Sequence, residues 1–384
     1  MLTHHWPANF GSNLQALSTF LLLKHIGQDP VFLNYRPPGH ERHYAARATQ
    51  AQLEAHAHHA SQFYEQTDVA RNAEEVKCLC KEAKIDLVLA GSDTILRVNK
   101  KRSTEDCCFP NPFWMQWVDD LTPRPKAAMI SASSEGTYYW FLERDVKKKM
   151  AEALLRVDSI SVRDRWTRNM VRYLTKGYLT PQITPDPVAV LNNVLPESMP
   201  EQAEPKSISK QYLLLHVGPR QYSPTWVKEF VRLAHKKDLQ VFTLPETTYV
   251  LDLPVDRQLP LPMRPLEWYY WICHSAGMIC KAFHTVVSCI FNDVPYLNVY
   301  AGSATWLKCL SIQRASKAYD VSMNVGMQGH CYLPLQGRIL LSPRRALKKL
   351  LAVPAGAYEP YATDAPRYYE AYIRDLTQRL SSQE

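Results

Sequence analysis

Short apolar runs recur along the chain, each closing on a cluster of Gly, Ser, Asp or Arg and each followed by a longer amphipathic stretch. This is the rhythm of βα units. A strand buried in a parallel sheet needs a continuous apolar run, whereas its crossover helix buries one face only. In the first half the runs fall at 31–35, 86–90, 127–130 and 160–163. Ser12 is placed to cap an opening helix whose Leu14, Leu17, Leu21 and Leu22 lie close to one face. A stretch from about 193 to 210 then sets Pro196, Pro200 and Pro205 among Glu, Ser and Gln, the composition of a linker.

Beyond the linker the rhythm restarts, with strands expected at 212–216, 240–244, 277–280 and 295–299. Helices are expected near 224–236 and 265–274, from about His284, and after Pro366 at the end of the chain. With 384 residues, 46% of them hydrophobic, the chain can build two cores. The fold expected is therefore α/β, with two Rossmann-like domains facing an interdomain cleft. The first takes residues 1–195, the second 205–352, and a helical tail 353–384. Ligands in such sheets bind beyond the carboxyl ends of the strands. The opening strand has only about three residues before His4, so a native start a few residues upstream is expected.

Composition narrows the function. No run of about 18 apolar residues is available to span a membrane, and polar Thr3, His4 and His5 follow Met1 directly where a signal peptide would be apolar. A cytoplasmic protein is the expectation, and the nine cysteines, none in a CxxC pair, read as reduced thiols rather than a zinc or disulfide framework. The net charge of +8 favours anionic partners. Its Lys and Arg are dispersed, however, and no nucleic-acid-binding motif is present, so nucleic acid is not an expected partner. His56, His58 and His59, on a polar helix without acidic or cysteine neighbours, read as surface residues rather than metal ligands. No metal site and no cofactor are expected.

Four segments at strand ends carry chemistry. The first runs from Asn9 through Gly11 and Asn13 to Gln15, where a turn glycine and amide groups suit sugar hydroxyls, or simply cap a helix. The second is Gly91-Ser92-Asp93, where Asp93 accepts hydrogen bonds from a substrate or caps the next helix. The third is Arg163, whose planar fork fits carboxylate or phosphate unless Asp164 neutralises it. The fourth is 281–288, where Lys281, His284 and Thr285 open an apolar helix. Free amides there attract an anion and an imidazole exchanges protons near neutral pH, the alternative being a histidine packed at a domain interface. His216 and Arg220, flanking the Gly218 turn, are candidates for the same cleft.

Taken in order, these segments resemble the polysaccharide pyruvyl transferase family over about residues 2–300. Residues 9–17 are similar to its opening NYGAxLQAxAL, and Gly91-Ser92-Asp93 to its GSDQ element. Ser131-Ala132-Ser133 is similar to its YAAS strand end, 160–163 to ISVRE, Pro185-Asp186-Pro187 to DPT, and 282–286 to SFHGTV. The resemblance implies a fold like that of GT-B glycosyltransferases and transfer of pyruvate from phosphoenolpyruvate, a co-substrate, onto two sugar hydroxyls as a cyclic ketal. It implies Arg163 on the donor's phosphate or carboxylate, with Lys281, Thr285, His216 and Arg220 on the same side. His284 would protonate the enol carbon or deprotonate the attacking hydroxyl. The sugar would lie near Asn9, Gly11, Asn13, Gln15, Ser92 and Asp93. Thr94, Ala282 and Thr285 depart from the family pattern, Ala282 standing where some relatives carry arginine, with Lys281 the neighbouring cation. The acceptor implied is a cell-surface glycan or its lipid-linked precursor, reached by peripheral contact with the anionic inner face of the membrane. A GT-B-like glycosyltransferase using a nucleotide sugar, and a diverged non-catalytic sugar- or anion-binding protein, are the alternative readings.

Overall fold

Met1 and Leu2 sit at the centre of the first half's sheet. The computed structural model describes residues 1–99, 104–196, 211–219, 221–299, 316–332 and 341–381. The Leu2 amide donates to the Leu89 carbonyl and its carbonyl accepts from Gly91, while the Met1 carbonyl accepts from Leu33. These bonds join two parallel pieces. One pairs β1 (Phe32–Tyr35) with β2 (Gln66–Ala70). The other runs in the order β3 (Leu87–Asp93), β4 (Lys126–Ala132), β5 (Ser159–Val162), β6 (Gln182–Ile183). The expected opening strand shrinks to a single bridge from Leu2 to Ala90. β2 carried no signal in the sequence, because it is a largely exposed edge strand of polar residues.

The second half builds a six-stranded parallel sheet. Its strands are β7 (Tyr212–His216), β8 (Gln240–Thr243), β9 (Arg257–Gln258), β10 (Gly277–Cys280), β11 (Tyr296–Val299) and β12 (Cys331–Tyr332), in the order β12-β11-β10-β7-β8-β9. Helices start where short polar side chains satisfy their free amides, as at Asn9, Thr49, Asp164, Ser223 and Ser316. Asn9, not Ser12, caps the Phe10–His25 helix, which frees the Ser12 hydroxyl for the site below. Most of the linker, including Pro200 and Pro205, and also Arg220 lie outside the described residues. Among the described residues the cysteines are free.

Two expectations change. His56 and His59 are buried, not at the surface, because the Gln50–Phe63 helix wedges against the second half. Gln52 exchanges hydrogen bonds with the Met263 backbone at 2.7 and 2.9 Å, and the His56 ring lies 5.2 Å from that of Phe10. The terminal helix runs Tyr361–Ser381 and takes Pro366 into its interior, with the proline ring buried. That helix clasps the halves: its Tyr369, Ile373, Leu376 and Leu380 share one apolar cluster with Leu14 and Leu17 from the first half and Tyr296 from the second. The carboxyl ends of both sheets are brought together, so that Gly11 touches His284 and Arg163 covers the Phe283 ring.

Candidate active site

Arg163 leaves the end of β5 with a fully buried side chain. Its Nη1 lies 2.5 Å from Asp186 Oδ2 and its Nη2 3.6 Å from Asp93 Oδ1. Asp164 does not neutralise it. That carboxylate instead caps the Arg165–Leu174 helix, accepting from the Thr167 amide, and takes a hydrogen bond from Ser133, both at 2.7 Å. The guanidinium also packs over Phe283, 4.8 Å from the ring centroid, and its Nε and Nη2 make no hydrogen bond. Burial tends to raise the Asp186 carboxyl, but His284 and Arg163 outweigh it and bring it down to about 2. The carboxylate is therefore ionised, pairs with the Arg163 guanidinium and stands beside the His284 ring.

Asp93 anchors the first-half segment. Its Oδ2 accepts from Ser12 Oγ and Gln15 Nε2, each at 2.7 Å, and Gln15 Oε1 in turn accepts from Ser92 Oγ. Burial opposes its ionisation, yet His4, Arg163, Lys317 and His284 around it hold its carboxyl far below the usual range. Asn13 Nδ2 donates to the Pro7 and Asn9 carbonyls, and Asn9 Nδ2 reaches the Tyr44 hydroxyl at 3.5 Å. Ser12, Gln15, Ser92 and Asp93 are thus bound to one another, Asn9 is held by Tyr44 and the Ser12 amide, and Asn13 is held by backbone carbonyls with its buried Oδ1 unbonded.

His284 sits in the first turn of the Phe283–Phe291 helix, 13% exposed, with Nε2 3.6 Å from Asp186 Oδ2 and no hydrogen bond to that nitrogen. The Thr285 hydroxyl turns back onto the Ala282 carbonyl at 2.6 Å. Lys281 and His216 converge on Glu246, at 2.7 and 2.9 Å, and Lys281 also donates to the Tyr249 hydroxyl. Burial would raise the Glu246 carboxyl, but His216 and Lys281 keep it well below the ordinary range. The structure thus gathers Arg163, Asp93, Ser92, Gln15, Gly11 and His284 around Asp186, and puts Lys281 and His216 in a second group around Glu246.

Sequence reasoning missed three participants. Asp186 was visible only as part of a turn, and Glu246 had no motif to mark it. Lys317, first residue of the Lys317–Asn324 helix, lies with Nζ 5.3 Å from the centroid of the Phe283 ring, the ring that Arg163 covers. Burial and the neighbouring Arg163 bring its amine down to about 7, against the pull of Asp93 and Asp164. Among the described residues no group of three His, Cys, Asp or Glu is placed to hold a metal ion. A cavity of about 320 Å³ opens beside Arg163, Asp186 and Phe283.

The sequence model of the polysaccharide pyruvyl transferase family matches residues 9–301, the span that contributes every residue of this site except Lys317. The chain belongs to that family. No curated protein matches it in sequence. Among solved structures, UDP-GlcNAc 2-epimerase from Neisseria meningitidis, solved bound to UDP-GlcNAc, superposes with a TM-score of 0.56 at 10% identity, covering 100% of this chain and 98% of the epimerase. The spinosyn forosaminyltransferase gives 0.51 at 12% identity, covering 99% and 98%. UDP-N-acetylglucosamine 2-epimerase from Rickettsia bellii gives 0.51 at 8%, covering 96% and 94%. At such identities the likeness is one of fold: this pyruvyl transferase family member is a GT-B-like protein of two Rossmann-like domains. No helix among its described residues is long and apolar enough to cross a membrane.

Proposed function

We propose that this family member transfers the pyruvyl group of phosphoenolpyruvate onto two hydroxyls of one sugar, releasing phosphate and leaving a cyclic ketal. The observation that carries the reading is the shared carboxylate: Asp186 reaches Arg163 on one side and the unbonded His284 Nε2 on the other. An enolpyruvyl phosphate brings a carboxylate and a phosphate, and needs fixed cations beside a proton carrier. Arg163 and Lys317 supply the charge. The free amides opening the Phe283–Phe291 helix add a further anion contact.

In this mechanism one sugar hydroxyl attacks C2 of the donor. His284 takes the hydroxyl proton and delivers it to C3, which turns from methylene to methyl. The C2–O bond to phosphate then breaks, the second hydroxyl closes on C2, and its proton leaves with the phosphate. Asp186 stabilises the imidazolium while it holds the proton. The Asp93 network fixes the floor against which Arg163 lies. Glu246, with Lys281 and His216, braces the neighbouring strand ends. The acceptor is a sugar of a cell-surface polysaccharide or its precursor, and the basic chain meets lipid-linked forms at an anionic membrane surface.

The test incubates the full chain with phosphoenolpyruvate and glycan acceptors, following phosphate release and product mass. Acceptor-dependent phosphate release, with a gain of one pyruvate less one water, is expected. Binding of a nucleotide sugar such as UDP-GlcNAc with no response to phosphoenolpyruvate would overturn the reading in favour of a glycosyltransferase.

A further inference from the structure

The polar side chains of the first-half segment are mostly engaged within the fold, and Asn13 Oδ1, left unbonded, is fully buried, so hydroxyl recognition needs groups elsewhere. The cavity of about 320 Å³ supplies them. Its inner end is formed by Arg163 and Asp186, and its outer wall by Tyr361, Asp364 and Tyr368 of the terminal helix, with Asn324 beside them. These four outer residues lie beyond residue 301, where the family match ends. A wall built outside the shared region is where one member's choice of ligand can differ from another's.

We infer that this cavity is a subsite for one uncharged sugar ring, held by Tyr361, Tyr368, Asp364 and Asn324. A sugar offers apolar C–H faces and a hydroxylated edge, and the cavity answers both. Phenol rings and mostly apolar walls cover a face, while the carboxylates of Asp186 and Asp364 hydrogen-bond the edge, with Asn324 beside them already accepting from Arg165 Nη2 at 2.9 Å and the Tyr368 hydroxyl accepting from Gln182. The volume, at the low end of the roughly 300–1,000 Å³ of small-molecule sites, suits one ring rather than a chain of them. Charge excludes the alternative occupant. Arg163 is already paired with Asp186, Asp364 adds a second carboxylate, and Lys317, the other cation assigned to the donor, does not line the cavity, so the cavity carries no surplus positive charge for an enolpyruvyl phosphate and suits an uncharged ring. Arg163, paired with Asp186 at 2.5 Å, fixes that carboxylate at the inner end. Asp186 there lies 3.6 Å from His284 Nε2, so hydroxyls at that end come within reach of the proton carrier.

The acceptor role of this subsite rests on the pyruvyl-transfer reading, whereas sugar binding does not. Asp364 and Tyr368 are solvent-facing, so Asp364→Ala and Tyr368→Ala should keep the fold, checked by an unchanged melting temperature. Saturation-transfer NMR on the full chain would use three probes: methyl α-glucopyranoside, methyl β-galactopyranoside and methyl α-mannopyranoside. The native chain is expected to bind at least one of them, and each variant to weaken that binding about tenfold or more. The variants should also raise the apparent KM for the acceptor while leaving that for phosphoenolpyruvate unchanged. Binding of none of the probes, or equal binding by the variants, would overturn the subsite. If the variants lose glycoside binding and no acceptor promotes phosphoenolpyruvate consumption, the subsite stands and the transfer reading falls. Turnover with an unchanged acceptor KM in both variants would overturn the acceptor role of the subsite and leave the transfer reading standing.

Discussion

Gly11 lies directly beneath the imidazole of His284, close enough that a single added methyl group would overlap the ring. The glycine is required by this approach across the domain interface rather than by its backbone angles. Gly11→Ala should therefore push the imidazole away from Asp186 and lower turnover by about 100-fold, the scale expected when a reacting group is displaced by an ångström. His284→Ala should abolish transfer with the fold intact. Phosphate release and melting temperature measured together check both; undiminished turnover in either variant removes His284 from the reaction.

Arg163→Ala leaves Asp186 and Asp93 as buried carboxylates without their cation. Uncompensated buried charge costs about 3–5 kcal/mol, so the variant should unfold at distinctly lower denaturant. Adding Asp186→Asn should recover part of that loss. In preparations that remain folded, the apparent KM for phosphoenolpyruvate should rise more than that for the acceptor. Equal stability of the single and double variants would mean that the ion pair does not hold this part of the cleft.

Lys317 offers a pH signature. Its amine, lowered to about 7 by burial and by Arg163, loses its charge as pH rises through neutrality. If its cation helps to hold the donor, kcat/KM for phosphoenolpyruvate should fall on the alkaline side with a midpoint near 7. Lys317→Arg, whose charge persists, should move that limb to higher pH, and Lys317→Met should lower kcat/KM below the midpoint and flatten the limb. An alkaline limb that is identical in all three proteins would exclude the lysine.

The strand rhythm was legible because parallel strands bury both faces and so write continuous apolar runs; β3, β4, β7 and β10 all appear where such runs fall. β2 was not legible, since an exposed edge strand needs no apolar residues. In the site, Arg163 and His284 were readable from their places at a strand end and a helix start. Their common partner was not. Asp186 lies 23 residues from Arg163 in sequence and meets His284 only through the docking of two domains, a relation that no local pattern encodes. Lys317 and the cavity wall on the terminal helix escaped for the same reason: the chain must cross back over the first half before they face the cleft. The buried imidazoles of the Gln50–Phe63 helix were misread because a histidine packs as an apolar ring once it is neutral.

Those imidazoles set how the fold responds to acid. Burial lowers His56 to about 4 and His59 and His5 to about 3, from an ordinary value of 6.5. Their folded values lie below the unfolded one, so between pH 6.5 and about 4 the unfolded chain binds the extra protons. The stability contributed by the neutral rings is complete above pH 6.5 and is lost as pH falls through that window, at about 1.4 kcal/mol per pH unit for each histidine. Asp93 and Asp186, with carboxyls held low, add their own loss only at lower pH. Urea unfolding at pH 7.5, 6 and 5 should show the decline, and His56→Gln or His59→Phe should each make it shallower. Both variants cost some packing at neutral pH, so the discriminating quantity is the slope with pH rather than the stability itself. A slope unchanged by either replacement would mean that these rings already carry a proton inside the fold.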